Sequence, residues 1–179
     1  MVEINNDSTY VLGVDFARMG EDVSVFVIIE NPHEKQELYT VYLEETRHKR
    51  LTDAIGRIKK LHKKFNFRKI YLDETGLGAG PTDVLKEEMG AYLVEGLTFT
   101  IKSKEDLYSN LKRLMEQGKL KLPNHRKLLY ELADLRYDIT GSGNTKIHHP
   151  ERGHDDYPDA LALACWFWKE DTTYVPVVG

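Results

Sequence analysis

Disulfides, membrane spans and secretion signals are all missing from the sequence. The chain has one cysteine, Cys165, which cannot form an internal disulfide, so a reducing, cytoplasmic setting is expected. Its longest apolar stretch, Ala160 to Trp168, is much shorter than the roughly 20 residues of a membrane-spanning helix. The N-terminal segment has no cationic region followed by an apolar run, and we therefore expect no secretion signal.

An excess of positive charge is also missing. The net charge is −4, whereas independent nucleic-acid-binding domains are usually basic. Lysine and arginine are nonetheless concentrated between Arg47 and Lys69. Such a local patch can contact phosphates, but it is more typical of the solvated face of an amphipathic helix. The 179 residues, 41% of them apolar and 30% charged, indicate one globular domain with an ordered core over about 9–170.

Hydrophobic patterning predicts a mixed sheet flanked by helices. Strands are expected at 10–17, 23–30, 37–44, 68–73, 92–97 and 119–122. Helices are expected at 51–65, 81–89, 104–117, 125–136 and 155–168, with a hairpin at 137–148. The short turns between the first three strands favour an antiparallel meander, and the later alternation of strand and helix favours parallel pairing. The order therefore predicts an α/β fold.

Acidic residues stand at the ends of two predicted strands and at the start of the last helix. Asp15 follows an apolar strand, and Asp73 ends another. The last helix opens with Asp155, Asp156 and Asp159. Buried carboxylates are costly unless they are paired or bound to metal, and clustered carboxylates collect hard divalent cations. Two such cations about 4 Å apart can activate water and stabilise the leaving oxygen in phosphodiester hydrolysis.

Each of these acids also has a simpler explanation when it is taken alone. Asp155 or Asp156 could be only the N-cap of the last helix, and Asp15 could be an acceptor in a turn. The coincidence of three acidic positions, after two apolar strands and at one buried helix, favours the metal site.

Three motifs occur in a fixed order along the chain. They are Gly13-Val-Asp-Phe-Ala17 with Gly20-Glu-Asp22, Leu72-Asp-Glu-Thr-Gly-Leu-Gly-Ala-Gly80, and Gly153-His-Asp-Asp-Tyr-Pro-Asp-Ala-Leu-Ala162. Together they resemble the C-terminal nuclease domain of the large terminase subunits of tailed bacteriophages, which are DNA-packaging motor proteins. The segment Lys102 to Leu111 resembles the helix that this family places before its final strands. The resemblance extends from about Tyr10 to Trp168.

The resemblance implies a ribonuclease H-like fold and an endonuclease that depends on two Mg²⁺ or Mn²⁺ ions. It implies that the substrate is double-stranded, concatemeric viral DNA, cut at the start and end of genome packaging. The implied partners in the full assembly are a packaging ATPase domain, a small terminase subunit and a portal. The implied setting is the host cytoplasm, with no membrane contact.

Site residues follow from the resemblance motif by motif. Asp15 matches the metal-bridging acid of the first strand, and Asp73 matches the acid that ends the later strand. Asp155 matches the C-terminal acid, with Asp156 beside it as a second metal ligand. Asp159 lies one helical turn further on and is kept as an alternative ligand. The resemblance thus implies that Asp15, Asp73 and Asp155 are the catalytic acids.

Basic residues and histidines near these motifs are candidates for contacts to DNA. The DNA-binding candidates are Arg18, Lys102, Lys104, Arg113 and Arg152. Each of them is slightly more typical of an exposed helix or loop charge. His154, next to Asp155, could orient a water or contact the scissile phosphate. His148 and His149 lack a cysteine pair that would suggest zinc, and we expect them to be solvated loop residues.

Other functions are open at this stage. The chain has no G-x-x-x-x-G-K-[ST] motif, so a packaging ATPase domain is expected to be absent. The glycines at 76, 78 and 80 resemble a dinucleotide-binding loop, but the third comes one residue too early for the G-x-G-x-x-G motif. The remaining alternatives are an actin-like nucleotide-binding ATPase module and another ribonuclease H-like nuclease, such as a junction resolvase.

Overall fold

The chain folds around a mixed β-sheet that is covered by helices on both faces. The computed structural model describes residues 3–16, 23–47, 51–75, 78–141, 143, 145–150 and 154–170. Within these ranges the strands are β1 Ser8–Asp15, β2 Ser24–Pro32, β3 Leu38–Thr46, β4 Lys69–Asp73, β5 Val94–Leu97, β6 Leu120–Lys121, β7 Arg136–Ile139 and β8 Thr145–His148. The helices are α1 Leu51–Phe65, α2 Gly80–Met89, α3 Ile101–Glu116, α4 Arg126–Asp134 and α5 Asp156–Cys165, followed by a 3₁₀ turn, Trp166–Trp168.

The sheet order is β5-β4-β1-β2-β3-β6, and β7 and β8 form a separate hairpin. Strands β1, β2 and β3 pair antiparallel, whereas β4 pairs parallel with β1 and β5 parallel with β4. The predicted antiparallel meander followed by parallel strands is therefore confirmed. Among the described residues, no helix combines the length and apolarity needed to cross a bilayer.

Three predicted helix boundaries were wrong. The helix expected at 104–117 begins earlier, at Ile101. The helix expected at 125–136 stops at Asp134, and Arg136 begins the hairpin instead. The helix expected at 155–168 ends at Cys165, and its last turn tightens into the 3₁₀ turn. Frayed ends and tightened last turns are common, and spacing patterns carry little information about them.

Each face of the sheet has its own apolar core. Side chains alternate along a strand, so Leu12 and Val14 of β1 face α1, whereas Val11 faces α5. By the same alternation Gly13 and Asp15 lie on the face that α5 covers. Helix α5 is fully buried from Tyr157 to Cys165, as its continuous apolar sequence predicts. The thiol of Cys165 is completely enclosed, and burial raises its pKa.

Gly13 allows α5 to lie directly on β1. A Cβ atom at this position would stand 2.2 Å from the carbonyl oxygen of Ala160 and 2.4 Å from the backbone nitrogen of Ala164. Both obstacles are backbone atoms of a buried helix, which cannot move aside cheaply. The small residues on both sides of the contact therefore set the height of α5 above the sheet, and with it the position of the acids at the helix start.

We expect Gly13→Ala to lower the free energy of unfolding by about 1–3 kcal/mol or more, because the added methyl group overpacks the contact between β1 and α5. Urea denaturation followed by circular dichroism measures this change. Gly56→Ala is the matched control, since a Cβ atom there meets nothing within 4 Å. In the middle of α1 it should stabilise the protein by about 0.5–1 kcal/mol. Equal stability of the Gly13→Ala variant and the wild type would contradict the packing argument.

Candidate active site

Asp15 and Asp73 lie side by side at the ends of two parallel strands. The register pairs Val14 of β1 with Leu72 of β4, and each acid is the next residue along its strand. Neighbouring strands run about 4.8 Å apart, and the pleat turns both side chains to the α5 face. Only 9% of Asp15 is exposed. The carboxylate of Asp73 also accepts a hydrogen bond from the backbone nitrogen of Thr75 at 2.8 Å, which fixes the turn after β4.

The start of α5 brings three more acids to the same place. Asp155 occupies the N-cap position, yet its side chain makes no capping hydrogen bond. The backbone nitrogen of Asp159 donates to the carbonyl of Asp155 at 2.8 Å, which closes the first helical turn between them. Asp156 is the first residue of the helix. The alternative that Asp155 is only a helix cap is wrong, because its carboxylate is directed elsewhere.

A single cavity of about 520 Å³ receives all of the predicted acids. Its acidic wall consists of Asp15, Asp73, Asp155, Asp156 and Asp159. Other lining residues include Thr75, Phe99, Lys104, Ile147, His148, His149 and His154. Five carboxylates from two strand ends and one helix start thus face a common space, as the sequence motifs predicted.

Burial and mutual repulsion perturb the carboxylates of this cavity. The pKa of Asp15 is raised well above its usual value, first by burial and then by the charges of Asp159 and Asp73. Burial is also the main cause that raises the pKa of Asp159 to about 7, and repulsion by Asp155 adds to it. Groups with such pKa values favour either a proton or a cation over the bare negative charge.

One ammonium group lies inside the acidic cluster. The Nζ atom of Lys104 on α3 lies 2.6 Å from Oδ2 of Asp155 and 2.9 Å from Oδ2 of Asp159. Burial alone would lower the pKa of Lys104, but the attraction of Asp159 and Asp155 outweighs it and the pKa is raised. The hydroxyl of Tyr108, one turn along α3, donates to Oδ1 of Asp159 at 2.5 Å. Asp159 is thus held by two residues of the neighbouring helix.

Glu131 is a buried acid that the sequence argument missed. It lies on α4, 4% exposed, and its Oε2 atom accepts a hydrogen bond from the backbone nitrogen of Tyr157 at 3.0 Å. The carboxylate therefore caps α5 from outside that helix. Helical spacing places Glu131 on the same face as the apolar Leu128, three residues earlier, which was the signal for a buried carboxylate. Burial raises its pKa.

The other predicted contact residues are divided between the cavity and the surface. His154 lines the cavity, with Nδ1 at 3.7 Å from Asp156, and His149 lies 4.0 Å from Asp155. Lys102 and Arg113 line a different cavity, where they pair with Asp106 and Glu170. Arg18 and Arg152 lie outside the described residues.

The donor set suits a hard divalent cation. Carboxylate oxygens are the ligands that Mg²⁺ and Mn²⁺ prefer, and the acids on the wall supply more negative charge than Lys104 neutralises. Within the described part of the chain, however, no three His, Cys, Asp or Glu side chains are already arranged as a metal cage. Two of the acids instead face the ammonium group of Lys104.

We expect metal-free protein to lose stability as the pH rises. Asp159 binds its proton up to about pH 7 in the native state but only to about 3.8 when unfolded, so between these values the native state holds more protons. The contribution of Asp159 to the free energy of unfolding is greatest below pH 3.8, and it is lost as the pH rises through about 7. Asp15, whose pKa is also raised, acts in the same direction.

Asp15→Asn tests this expectation in EDTA. The variant should gain more stability over the wild type at the higher of two pH values than at the lower, because burial and the neighbouring acids make the charged form of Asp15 unfavourable in the native state. Thermal unfolding at the two pH values measures the difference, with the exposed Asp7→Asn as the matched control. A gain that is the same at both pH values would contradict the assignment of a raised pKa.

Glu131→Ala should lower the free energy of unfolding by about 1–3 kcal/mol, because it leaves the buried backbone nitrogen of Tyr157 without its acceptor. Glu131→Gln keeps an acceptor oxygen and should cost less. Chemical denaturation of both variants measures the effect. Glu116→Ala, at an exposed ion pair with Lys112, is the control and should change stability by less than about 0.5 kcal/mol. If Glu131→Ala and Glu116→Ala lower the free energy of unfolding by the same amount, Glu131 does not cap α5.

Comparison with known proteins shows which family this chain matches. The terminase RNaseH-like domain family matches residues 12–166. The large terminase subunit of Thermus virus P23-45 is 35% identical over 164 residues, which cover 88% of this chain and 31% of that protein. The chain thus spans about a third of the length of that relative. The large terminase subunit of Thermus phage G20c gives 34% identity over the same coverage.

Solved structures agree with this match. The large terminase nuclease of the thermophilic phage G20c with bound magnesium gives a TM-score of 0.77 at 30% identity, covering 91% of this chain and 83% of that one. The large terminase nuclease domain of Thermus phage P74-26 gives 0.73 at 30% identity, with 91% and 81% covered. The predicted ribonuclease H-like fold is confirmed. With a family match across most of its length and this structural agreement, the chain belongs to the terminase RNaseH-like domain family.

Proposed function

We propose that this chain is a metal-dependent endonuclease that cuts double-stranded, concatemeric viral DNA during genome packaging. The observation that carries the proposal is the convergence of five carboxylates on one cavity, at the ends of β1 and β4 and the start of α5. Family membership supports the same conclusion, and it favours this function over an actin-like ATPase module.

Asp15, Asp73 and Asp155 are proposed to hold two divalent cations, Mg²⁺ or Mn²⁺, with Asp156 as a further ligand. When bound, such ions activate water and stabilise the leaving oxygen of a phosphodiester. Asp15 is central to the cluster, since its charge is repelled by each of the other four acids. The G20c relative was solved with bound magnesium, which supports a divalent cation as the cofactor of this chain.

The protein's own groups would orient the substrate around this centre. His154 borders the cavity and would contact the scissile phosphate or orient a water. Lys102 and Arg113, which line a second cavity, are proposed to contact DNA phosphates, as are Arg18 and Arg152. Because the longer relatives are large terminase subunits, we propose a packaging ATPase domain, a small terminase subunit and a portal as partners in the host cytoplasm.

Cleavage of supercoiled plasmid tests the proposal directly. Nicking and linearisation should require Mg²⁺ or Mn²⁺ and stop in EDTA. Asp15→Asn, Asp73→Asn and Asp155→Asn should each lower the cleavage rate by roughly 1,000-fold, which corresponds to about 4 kcal/mol of lost transition-state stabilisation. Each variant is first checked for native circular dichroism.

Asp83→Asn, on the exposed side of α2, is the control and should cleave like the wild type. Full cleavage by all three acid variants would refute the site assignment. A marked preference for four-way junctions over plasmid would point to the junction resolvase alternative. Tight ATP binding without cleavage would point to the ATPase module.

A further inference from the structure

We propose that Lys104 is a built-in counter-cation, which holds the acidic cluster together without metal and competes with the divalent cation for Asp155. This inference rests on the proposed metal centre. It assigns Lys104 a positioning role toward the metal ligands, in place of the DNA contact that its sequence context suggested.

The surroundings of Lys104 are those of a cation site. Its Nζ atom bridges one carboxylate oxygen of Asp155 and one of Asp159, at 2.6 and 2.9 Å. The rings of Phe99 and Tyr108 lie 5.6 and 5.7 Å from the same atom, within the range of cation–π attraction. Only 16% of the Lys104 side chain is exposed. The ammonium group is therefore held by two carboxyl groups and two aromatic rings.

Metal and ammonium compete for the same oxygen. Magnesium binds a carboxylate oxygen at about 2.0–2.1 Å, and the ammonium group already stands 2.6 Å from Oδ2 of Asp155. Both cations on that oxygen would lie within about 5 Å of each other, where like charges repel. Binding of metal to Oδ2 of Asp155 would thus displace Lys104 toward Asp159.

Asp159 is suited to retain Lys104 after this withdrawal. It is 7% exposed at the side chain and is fixed by the hydroxyl of Tyr108 through its other oxygen. The long, flexible lysine chain can move from two carboxylates to one without moving the helix. The arrangement divides the helix-start acids between two tasks. Asp155 binds the metal, and Asp159 serves as the anchor of Lys104 and not as a metal ligand.

A purely structural role and a competing role for Lys104 predict opposite changes in metal affinity when the lysine is removed. If the lysine only held Asp155 in position for the metal, its removal would disorder the ligand and weaken metal binding. If it competes, its removal deepens the negative potential of the cavity and strengthens binding. The sign of the change in metal affinity therefore distinguishes the two roles.

Lys104→Gln is the central variant, and Mg²⁺ and Mn²⁺ are the probes. Isothermal titration calorimetry should show tighter metal binding than wild type, by roughly tenfold. In EDTA the thermal midpoint should fall, because the carboxylates lose their counter-cation. Lys112→Gln removes the same charge from an exposed position on the same helix and should change neither quantity appreciably.

Lys104→Arg keeps the charge and guards against a variant that fails to fold. It should be native in EDTA and bind metal no more tightly than the wild type. Weaker or unchanged metal binding by a folded Lys104→Gln variant would overturn the inference while leaving the metal centre intact. Tighter binding by Lys104→Arg would overturn it as well. Metal binding by neither the wild type nor Lys104→Gln would overturn the proposed metal centre, and the inference with it.

Discussion

Mutual repulsion among buried carboxylates is the constraint on which the arrangement of this domain depends. Five acids facing one cavity are unfavourable in a folded protein unless other interactions hold them there. Three stabilising interactions lie outside the cavity, in addition to the ion pairs of Lys104 within it. They are the ladder between β1 and β4, the close contact of α5 with Gly13, and the capping of α5 by Glu131. Packing of the scaffold thus offsets the electrostatic cost of the site.

The two helices that frame the site have different tasks. Helix α5 brings its acids to the strand ends, and its contact with β1 is made by small residues that leave no room for adjustment. Helix α3 supplies the compensating groups, Lys104 and Tyr108, from the other side of the cavity. Helix α5 therefore holds the carboxylates in fixed positions, and α3 carries the ammonium group and the hydroxyl that compensate their charge. This division keeps the acids concentrated without a bound ion.

The sequence predicted the acids much better than the groups that balance them. Asp15 and Asp73 were predictable because both end apolar strands and occur together with the acids at the start of a buried helix, a combination that has few purely structural explanations. Lys104 was interpreted as an exposed helix charge or a candidate DNA contact, since a lysine on an amphipathic helix usually faces solvent. Its partners lie 51 and 55 residues further along the chain, and no local pattern encodes that distance. The antiparallel pairing of the first three strands was predictable from the short turns between them, whereas the end of α4 depended on the pairing of the hairpin that follows it.

The enclosure of Cys165 has a practical consequence for spectroscopy. It is the chain's one cysteine, it lies within the buried part of α5, and burial disfavours the thiolate that reacts with maleimides. A cysteine introduced at an exposed position would therefore carry a fluorophore or spin label almost alone, with the native thiol left in place. Distances from such a label to a paramagnetic Mn²⁺ ion could then locate the ion within the domain.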